Sequence, residues 1–236
     1  MTNFVSTRSE RIQTVSTTTS QPKKRVRTRL AMLRATIDLL GQEDGRVVRV
    51  EDVVSQVGMT RTTFYNHFDS REALIDTVAF ELTHHFNSII LPIINLEKDA
   101  ARRVAMATRY YLSHARADRK WAWAVVNVSL NSKVLFGEAT HNDVTRNIVA
   151  GQADGTFRLQ DLNAGRDMLM GTVLAAFLHI LRAKPTSRYQ SDMAMIILRG
   201  LGVPTRKAER IVAEPLPPLP SYSGPFSTVN AIDADE

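Results

Sequence analysis

The sequence contains no cysteine among its 236 residues. Disulfide bonds and thiolate metal sites are therefore excluded, and the composition suits a reducing compartment. We find no apolar run that approaches the roughly 20 residues of a membrane-spanning helix. The first 21 residues also lack the apolar stretch of a signal peptide. We therefore expect a cytoplasmic protein that makes no contact with a membrane.

Sequence motifs of common catalytic sites are absent too. There is no glycine-rich dinucleotide or phosphate loop and no GxSxG turn. The one histidine cluster, His84-His85, would point its two rings about 100° apart on a helix, which does not suit a single metal ion. We therefore predict a protein that is not an enzyme and that needs neither a metal nor another cofactor.

The positive charge of the chain lies mainly at its N-terminal end. Residues 1–71 contain 12 Lys/Arg and 7 Asp/Glu, whereas residues 72–236 contain 18 and 17. An excess confined to one end is typical of a surface that faces phosphates. A basic run between Lys23 and Arg29 could form an arm on the DNA, or it could be a solvated tail.

The stretch from residue 50 to residue 71 predicts two short helices joined by a tight turn; it reads VEDVVSQVGMTRTTFYNHFDSR. Residues 51–57 place acids in the first turn of a helix, where the helix dipole favours them. Gly58 can adopt the left-handed conformation that ends a helix. Thr60 can then cap a second helix over residues 61–68.

The second of these helices has an apolar side and a polar side. Phe64 and Phe68 are four residues apart and share the inner face. In a helix-turn-helix the second helix enters the major groove, where Arg, Asn and Thr can contact base edges. The alternative is the solvated face of an ordinary helical bundle. If the helix binds DNA, the contacting residues are expected to be Thr60, Arg61, Thr62, Thr63, Tyr65, Asn66 and His67.

The run from Gly58 to Leu74, GMTRTTFYNHFDSREAL, resembles the DNA-binding signature of the TetR family of bacterial transcriptional regulators. The resemblance implies an all-α fold with two parts, an N-terminal three-helix helix-turn-helix DNA-binding domain and a C-terminal helical bundle for ligand binding and dimerisation. The family usually has Thr or Ser where this chain has Arg49. We predict that Arg49 and Arg71 contact phosphates.

Composition and the apolar pattern divide the chain into four segments. Residues 1–22 are Ser/Thr-rich and predict a disordered tail. Residues 23–75 predict the DNA-binding domain, and residues 76–203 the effector-binding and dimerisation domain. Residues 204–236 are rich in proline and predict a second disordered tail.

The resemblance also implies a small-molecule effector, bound in a cavity of the second domain. Large aromatic residues of that domain could line an apolar pocket. Aromatic residues at helical spacing more often form a packed core, and the sequence leaves both possibilities open. The residues that we expect around the cavity are Phe86, Tyr110, Tyr111, Trp121, Trp123 and Phe177.

Two apolar segments, from Met168 to Leu181 and from Met193 to Leu201, predict the surface of a homodimer. The first is apolar on nearly every side, so burial on every side is expected. We predict that both pair with their copies across a two-fold axis. The prediction is a homodimeric repressor on a palindromic double-stranded operator, released by an effector. The alternatives are a DNA-binding regulator without a ligand and a helical protein-interaction module.

Overall fold

A computed structural model describes residues 20–43, 45 and 47–220, with side chains from Lys23 onward. This part of the chain is all-helical, as the sequence predicts, and it contains ten helices. They are α1 (Ser20–Leu40), α2 (Val50–Gln56), α3 (Arg61–Tyr65), α4 (Arg71–Ile94), α5 (Ala100–Ala117), α6 (Arg119–Ser129), α7 (Gly137–Ala153), α8 (Leu162–Arg182), α9 (Tyr189–Gly200) and α10 (Thr205–Ala213). The expected tail at 1–22 lies almost wholly outside the described residues, as do residues 221–236.

Helices α1, α2 and α3 form the small N-terminal unit around one aromatic side chain. Phe64 of α3 is fully buried and stacks at a tilt on Phe68, with ring centroids 5.6 Å apart. Met32 and Leu40 from α1 and Val53 from α2 are also fully buried. Because these side chains share one core, α1 and α2 hold α3 in a fixed orientation.

Helix α4 joins this unit to the rest of the chain. It runs unbroken for 24 residues, so the expected boundary at residues 75 and 76 falls inside it. Helix α4 contains Pro92 and continues two residues beyond it, to Ile94. Proline lacks the N–H donor of one helical hydrogen bond. Because Pro92 lies two residues before the end of α4, only a short helical stretch follows the missing bond.

The C-terminal unit is a bundle of α5 to α10 with α5 in its interior. Helix α5 packs against α6, α7, α8, α9 and α10, as well as against α4. Helix α6 packs against α1 and α4 of the N-terminal side. The N-terminal unit therefore rests on the bundle through α6 as well as through the continuous α4.

The expected disordered tail at 204–236 is wrong over its first part. Residues 205–213 form α10, whose Ala208 and Ile211 are buried at helical spacing. The chain then crosses α5, where Tyr110 Oη donates to the Pro217 carbonyl at 2.8 Å. Five of the six prolines between residues 204 and 236 lie at or after residue 215, where the amphipathic helix has already ended.

Helix α8 is long and apolar enough to cross a bilayer by length and composition, contrary to our expectation for the chain. About 44% of its most apolar window is buried within the chain. A core or interface helix of a water-soluble protein has the same composition. Its uncovered side carries Gly171, Ala175 and Leu178, which are exposed or half-buried.

Candidate nucleic-acid interface and ligand cavity

The turn between α2 and α3 has the geometry that its sequence predicts. Gly58 has a φ of +64°, and no atom would contact a Cβ added there. The Met59 N–H donates to the Val54 carbonyl at 2.8 Å, which closes the end of α2. Thr60 Oγ1 then accepts a hydrogen bond from the Thr63 N–H at 3.2 Å and caps α3. These bonds fix the angle at which α3 leaves the turn.

The outer face of α3 is exposed and polar. Between residues 61 and 66, four of the residues predicted to contact DNA are exposed: Arg61, Thr62, Tyr65 and Asn66. The Arg61 guanidinium lies 2.9 Å from the Glu51 carboxylate, and its pKa is raised by a hydrogen bond to Tyr65 and then by Glu51. Tyr65 is 48% exposed although its ring meets Phe64 edge-on. This face can therefore present donors, an aromatic ring and a Thr methyl to a groove.

The remaining predicted contacts on and beside α3 are Thr60, Thr63 and His67. Thr60 is exposed but caps the helix, and the Thr63 hydroxyl lies 3.0 Å from it. Helix α3 ends at Tyr65, shorter than the expected 61–68, but the Phe68 N–H still donates to the Phe64 carbonyl at 3.0 Å. His67 is half-buried, and its pKa is lowered by burial and by two nearby arginines.

Both of those arginines belong to the basic run, and Arg29 is turned inward. Arg29 Nη1 donates to the His67 carbonyl at 2.7 Å, and its Cζ lies 4.1 Å from the centre of the Phe68 ring. A guanidinium over an aromatic face is a favourable cation–π contact. Arg29 therefore ties α1 to the end of α3, whereas Lys24 and Arg25 before it are exposed.

The two arginines predicted to contact phosphates are placed differently. Arg49 is exposed, and its backbone N–H donates to Asp52 Oδ2 at 3.0 Å. Arg71 is half-buried: its Nε donates to the Val48 carbonyl at 2.6 Å and its Nη2 to Asn131 Oδ1 at 2.9 Å. The Val48 carbonyl and the Asn131 amide therefore occupy the guanidinium of Arg71. This gives Arg71 an internal structural role that we did not expect.

Helix α6 holds the N-terminal unit through polar side chains. The amide of the fully buried Asn127 donates to the carbonyls of Leu40 and Gln42, both at 2.8 Å, at the C-terminal end of α1. Lys120 Nζ lies 2.6 Å from Asp38 Oδ1. Carbonyls at a helix C-terminus have no partner within the helix. Because α6 supplies those partners, a movement of α6 relative to α1 would break them.

Three of the aromatic residues that we expected around a cavity pack against one another instead. Phe86, Trp121 and Phe177 are at most 3% exposed, with ring centroids of neighbouring pairs 5.4 to 5.7 Å apart. Tyr110 faces the C-terminal segment, and Trp123 is buried in α6 without lining the cavity. Only Tyr111 of the six lines the cavity. The structure places the other five away from this cavity, and Phe86, Trp121 and Phe177 fill the space among themselves.

The mainly apolar cavity lies beside this cluster, between α4, α5, α7 and α8. Its volume is about 80 Å³. Three buried polar side chains meet at its wall: Asn87 Nδ2 donates to Thr140 Oγ1 at 3.1 Å, and Tyr111 Oη donates to Asn87 Oδ1 at 2.8 Å. Asn87 and Thr140 were not predicted. Each is a polar residue on an otherwise apolar helix face, and that is the signal that could have drawn attention to them.

Family comparison matches both parts of this architecture. Residues 32–78 match the family described as bacterial regulatory proteins, tetR family. Residues 99–214 match the family described as tetracyclin repressor-like, C-terminal domain. The first match covers α2, α3 and most of the N-terminal core, and the second covers the bundle that contains the cavity. A search of curated proteins found no match.

Solved structures share the fold over most of the chain. RolR without ligand is 22% identical, covers 81% of this chain and 100% of its own, and has a TM-score of 0.64. RolR in complex with resorcinol is 22% identical, covers 84% and 99%, and has a TM-score of 0.62. The regulator FadR from Bacillus subtilis in complex with stearoyl-CoA is 15% identical, covers 72% and 98%, and has a TM-score of 0.57. With its helix-turn-helix and its helical C-terminal domain, the chain belongs to the TetR family of bacterial transcriptional regulators.

Proposed function

We propose that the chain is a homodimeric transcriptional repressor that binds a palindromic duplex operator and is released from it by a small-molecule effector. The observation that carries the DNA-binding part is the outer face of α3, where Arg61, Thr62 and Tyr65 are exposed on a helix fixed by a buried aromatic core. Family membership supports action in the cytoplasm and no catalytic activity.

The apolar faces of α8 and α9 support a dimer. Ile196 of α9 is 56% exposed, whereas its neighbour Ile197 is fully buried in the bundle. On α8, Ala175 is exposed and Leu178 half-buried. A second copy packed across a two-fold axis would cover these side chains, and obligate interfaces of this kind bury on the order of 2,000 Å² or more. The segments from Met168 to Leu181 and from Met193 to Leu201 therefore remain our proposal for the interface.

The cavity supports an effector. It lies in the bundle, and α4, which provides one wall, begins at the DNA-binding unit. RolR and FadR have been crystallised with resorcinol and with stearoyl-CoA, so this fold accommodates ligands of different sizes. A ligand can release the operator only if it binds more tightly to a state in which the two α3 helices no longer match successive major grooves.

Selection of bound duplexes from a random DNA pool tests the proposal with the full chain. We expect an inverted repeat whose half-sites are about 34–36 Å apart, which is one turn of the DNA helix, or a multiple of that distance. A triple variant, Arg61→Ala with Thr62→Ala and Tyr65→Ala, should enrich no sequence. If the unaltered chain enriches no sequence, or if the triple variant enriches the same one, the proposal fails.

A further inference from the structure

The walls of the cavity suit a small apolar body. Ile90, Val104, Leu169 and Val173 line it from α4, α5 and α8. Its volume of about 80 Å³ is several times the roughly 10–15 Å³ that one water molecule needs. It is about half the roughly 150 Å³ of an engineered cavity that binds benzene. A ligand of one ring would therefore need the walls to separate.

The polar side chains at the wall can hold one hydrogen-bonding group of a ligand. Asn87, Tyr111 and Thr140 come from α4, α5 and α7, and each is 8% exposed or less. The two hydrogen bonds among them use one N–H and one lone pair of the Asn87 amide, which has two of each. The amide can therefore donate to a ligand and accept from it.

The cavity offers no net counter-charge to an ionised ligand, because Arg103 and Asp143 both line it. Burial raises the pKa of the Tyr111 phenol, which therefore keeps its proton. Arg103, at the edge of the lining, donates to Asn147 Oδ1 at 2.8 Å and to two main-chain carbonyls. Asp143 pairs with Arg146. An anion would meet Arg103 only together with the Asp143 carboxylate, so it would lose its hydration without gaining a net counter-charge, which is costly.

We propose that the effector is a small neutral molecule with an apolar body of about one ring and a hydroxyl group that binds Asn87, Tyr111 and Thr140. This inference rests on the proposed function, since it names the class of the effector. A hydroxyl both donates and accepts, so it matches the amide in either direction. A pure hydrocarbon would leave that hydrogen-bonding capacity unused.

The small size of the cavity connects the ligand to DNA release. Asn87 and Ile90 belong to α4, which begins at Arg71 beside the DNA-binding unit. A ligand of one ring binds more tightly to a state in which α4 has moved away from α8, because only then does it fit. Binding therefore shifts the population toward that state and changes the position of α3.

Isothermal titration calorimetry of the full chain, in the absence of DNA, tests the class of ligand. The probes are 4-methylphenol, toluene and benzoate, which have similar size and differ in their polar group. We expect saturable binding of 4-methylphenol, about tenfold weaker binding of toluene, and no measurable binding of benzoate. Two neutral hydrogen bonds at roughly 0.5–1.5 kcal/mol each account for a factor of that order.

Variants of the cluster test the site. Thr140→Val and Tyr111→Phe keep the side-chain shape and should reduce the preference for 4-methylphenol over toluene to about twofold or less. The matched control is Thr83→Val on α4, a fully buried threonine whose hydroxyl donates to the Ala79 carbonyl at 2.9 Å; its preference should stay unchanged. Because the two cluster variants are independent, the test can still be made if one of them fails to fold.

Three results would overturn the inference: no binding of any probe, equal or tighter binding of toluene or benzoate, or an unchanged preference in both cluster variants. None of these depends on DNA. Selection of an operator together with failure of all three probes would retain the DNA-binding proposal and remove the ligand class. Ligand binding by a chain that selects no DNA would do the reverse.

Discussion

Arg71, the first residue of α4, donates a hydrogen bond of 2.9 Å from Nη2 to Oδ1 of Asn131, which follows α6. The same guanidinium donates from Nε to the Val48 carbonyl at 2.6 Å, just before α2. One side chain thus joins the DNA-binding unit, the connecting helix and the bundle. Because Asn131 also donates to the Asn127 carbonyl at 2.7 Å, this contact continues into α6.

The placement of the two arginines predicts different effects on DNA binding. Arg49→Gln removes an exposed charge and should reduce the slope of log K against log salt by about 0.9. Arg71→Gln should leave this slope nearly unchanged and lower the melting temperature instead, because it breaks internal hydrogen bonds. Fluorescence anisotropy at several salt concentrations and thermal unfolding measure the two quantities. Equal losses of slope in the two variants would mean that Arg71 contacts a phosphate after all.

Substitutions in α3 are predicted to affect either operator binding or stability, depending on which face of the helix they alter. Arg61→Ala and Tyr65→Ala should each weaken operator binding by roughly 5- to 150-fold, the range for a lost base contact of about 1–3 kcal/mol. Both should melt like the unaltered chain, since both side chains are exposed. Phe64→Ala, in contrast, should destabilise the N-terminal unit by about 3–5 kcal/mol. Circular dichroism measures the stability of each variant, and anisotropy measures its operator affinity. Unaltered operator affinity in both Arg61→Ala and Tyr65→Ala would exclude α3 as the helix that contacts the bases.

Local sequence was sufficient to predict the helix-turn-helix. Gly58 with Thr60 marks a left-handed turn followed by a cap, and the spacing of Phe64 and Phe68 marks the buried face. Both features depend on residues a few positions apart, so a short window contains them. The segment at 205–213 was missed because the prolines after it dominated the composition, although Ala208 and Ile211 have helical spacing.

The cavity could not be predicted in the same way. Tyr111 lies 24 residues after Asn87 in the sequence, and Thr140 lies 53 residues after it. Only the packing of three helices brings these side chains together. The internal role of Arg71 depends on a carbonyl 23 residues earlier and an amide 60 residues later. Neither relationship leaves a periodic pattern. The resemblance to a family indicated that a cavity exists, but not which residues line it.

The dimer proposal predicts that Ile196→Asp converts the chain to a monomer. The charge would fall on a 56% exposed position of α9, where a second copy should desolvate it. The matched control is Val149→Asp on α7, at a 48% exposed position outside α8 and α9, which should remain dimeric. Analytical ultracentrifugation at low micromolar concentration measures the mass. A monomeric unaltered chain, or a dimeric Ile196→Asp variant, would contradict the proposed interface.

The lowered pKa values of three histidines predict that the folded chain loses stability in mild acid. Burial is the main cause of a lowered pKa for His114, whose ring stacks on Phe86 with centroids 4.5 Å apart. Above the ordinary histidine pKa of 6.5 the ring is neutral in both states. As the pH falls below that value, the unfolded chain binds the proton first, so the free energy of unfolding decreases until the folded pKa is reached.

His114→Phe should therefore make the stability of the chain less dependent on pH. Melting temperatures at about pH 8 and about pH 5.5 give the comparison, and the difference between them should be smaller in the variant. His67 and His141, whose pKa values are also lowered mainly by burial, should account for the dependence that remains. A variant with the full dependence would show that His114 does not contribute.

Sequence-specific binding of duplex DNA is the central claim, and an anisotropy titration of the full chain tests it most directly. The two ligands are the selected operator and a shuffled duplex of the same composition, compared at about 150 mM salt. We predict that the operator binds at least about 1,000-fold more tightly, the lower end of the range for specific over non-specific sites. Equal affinity for the two duplexes, or no binding of either, would contradict the account.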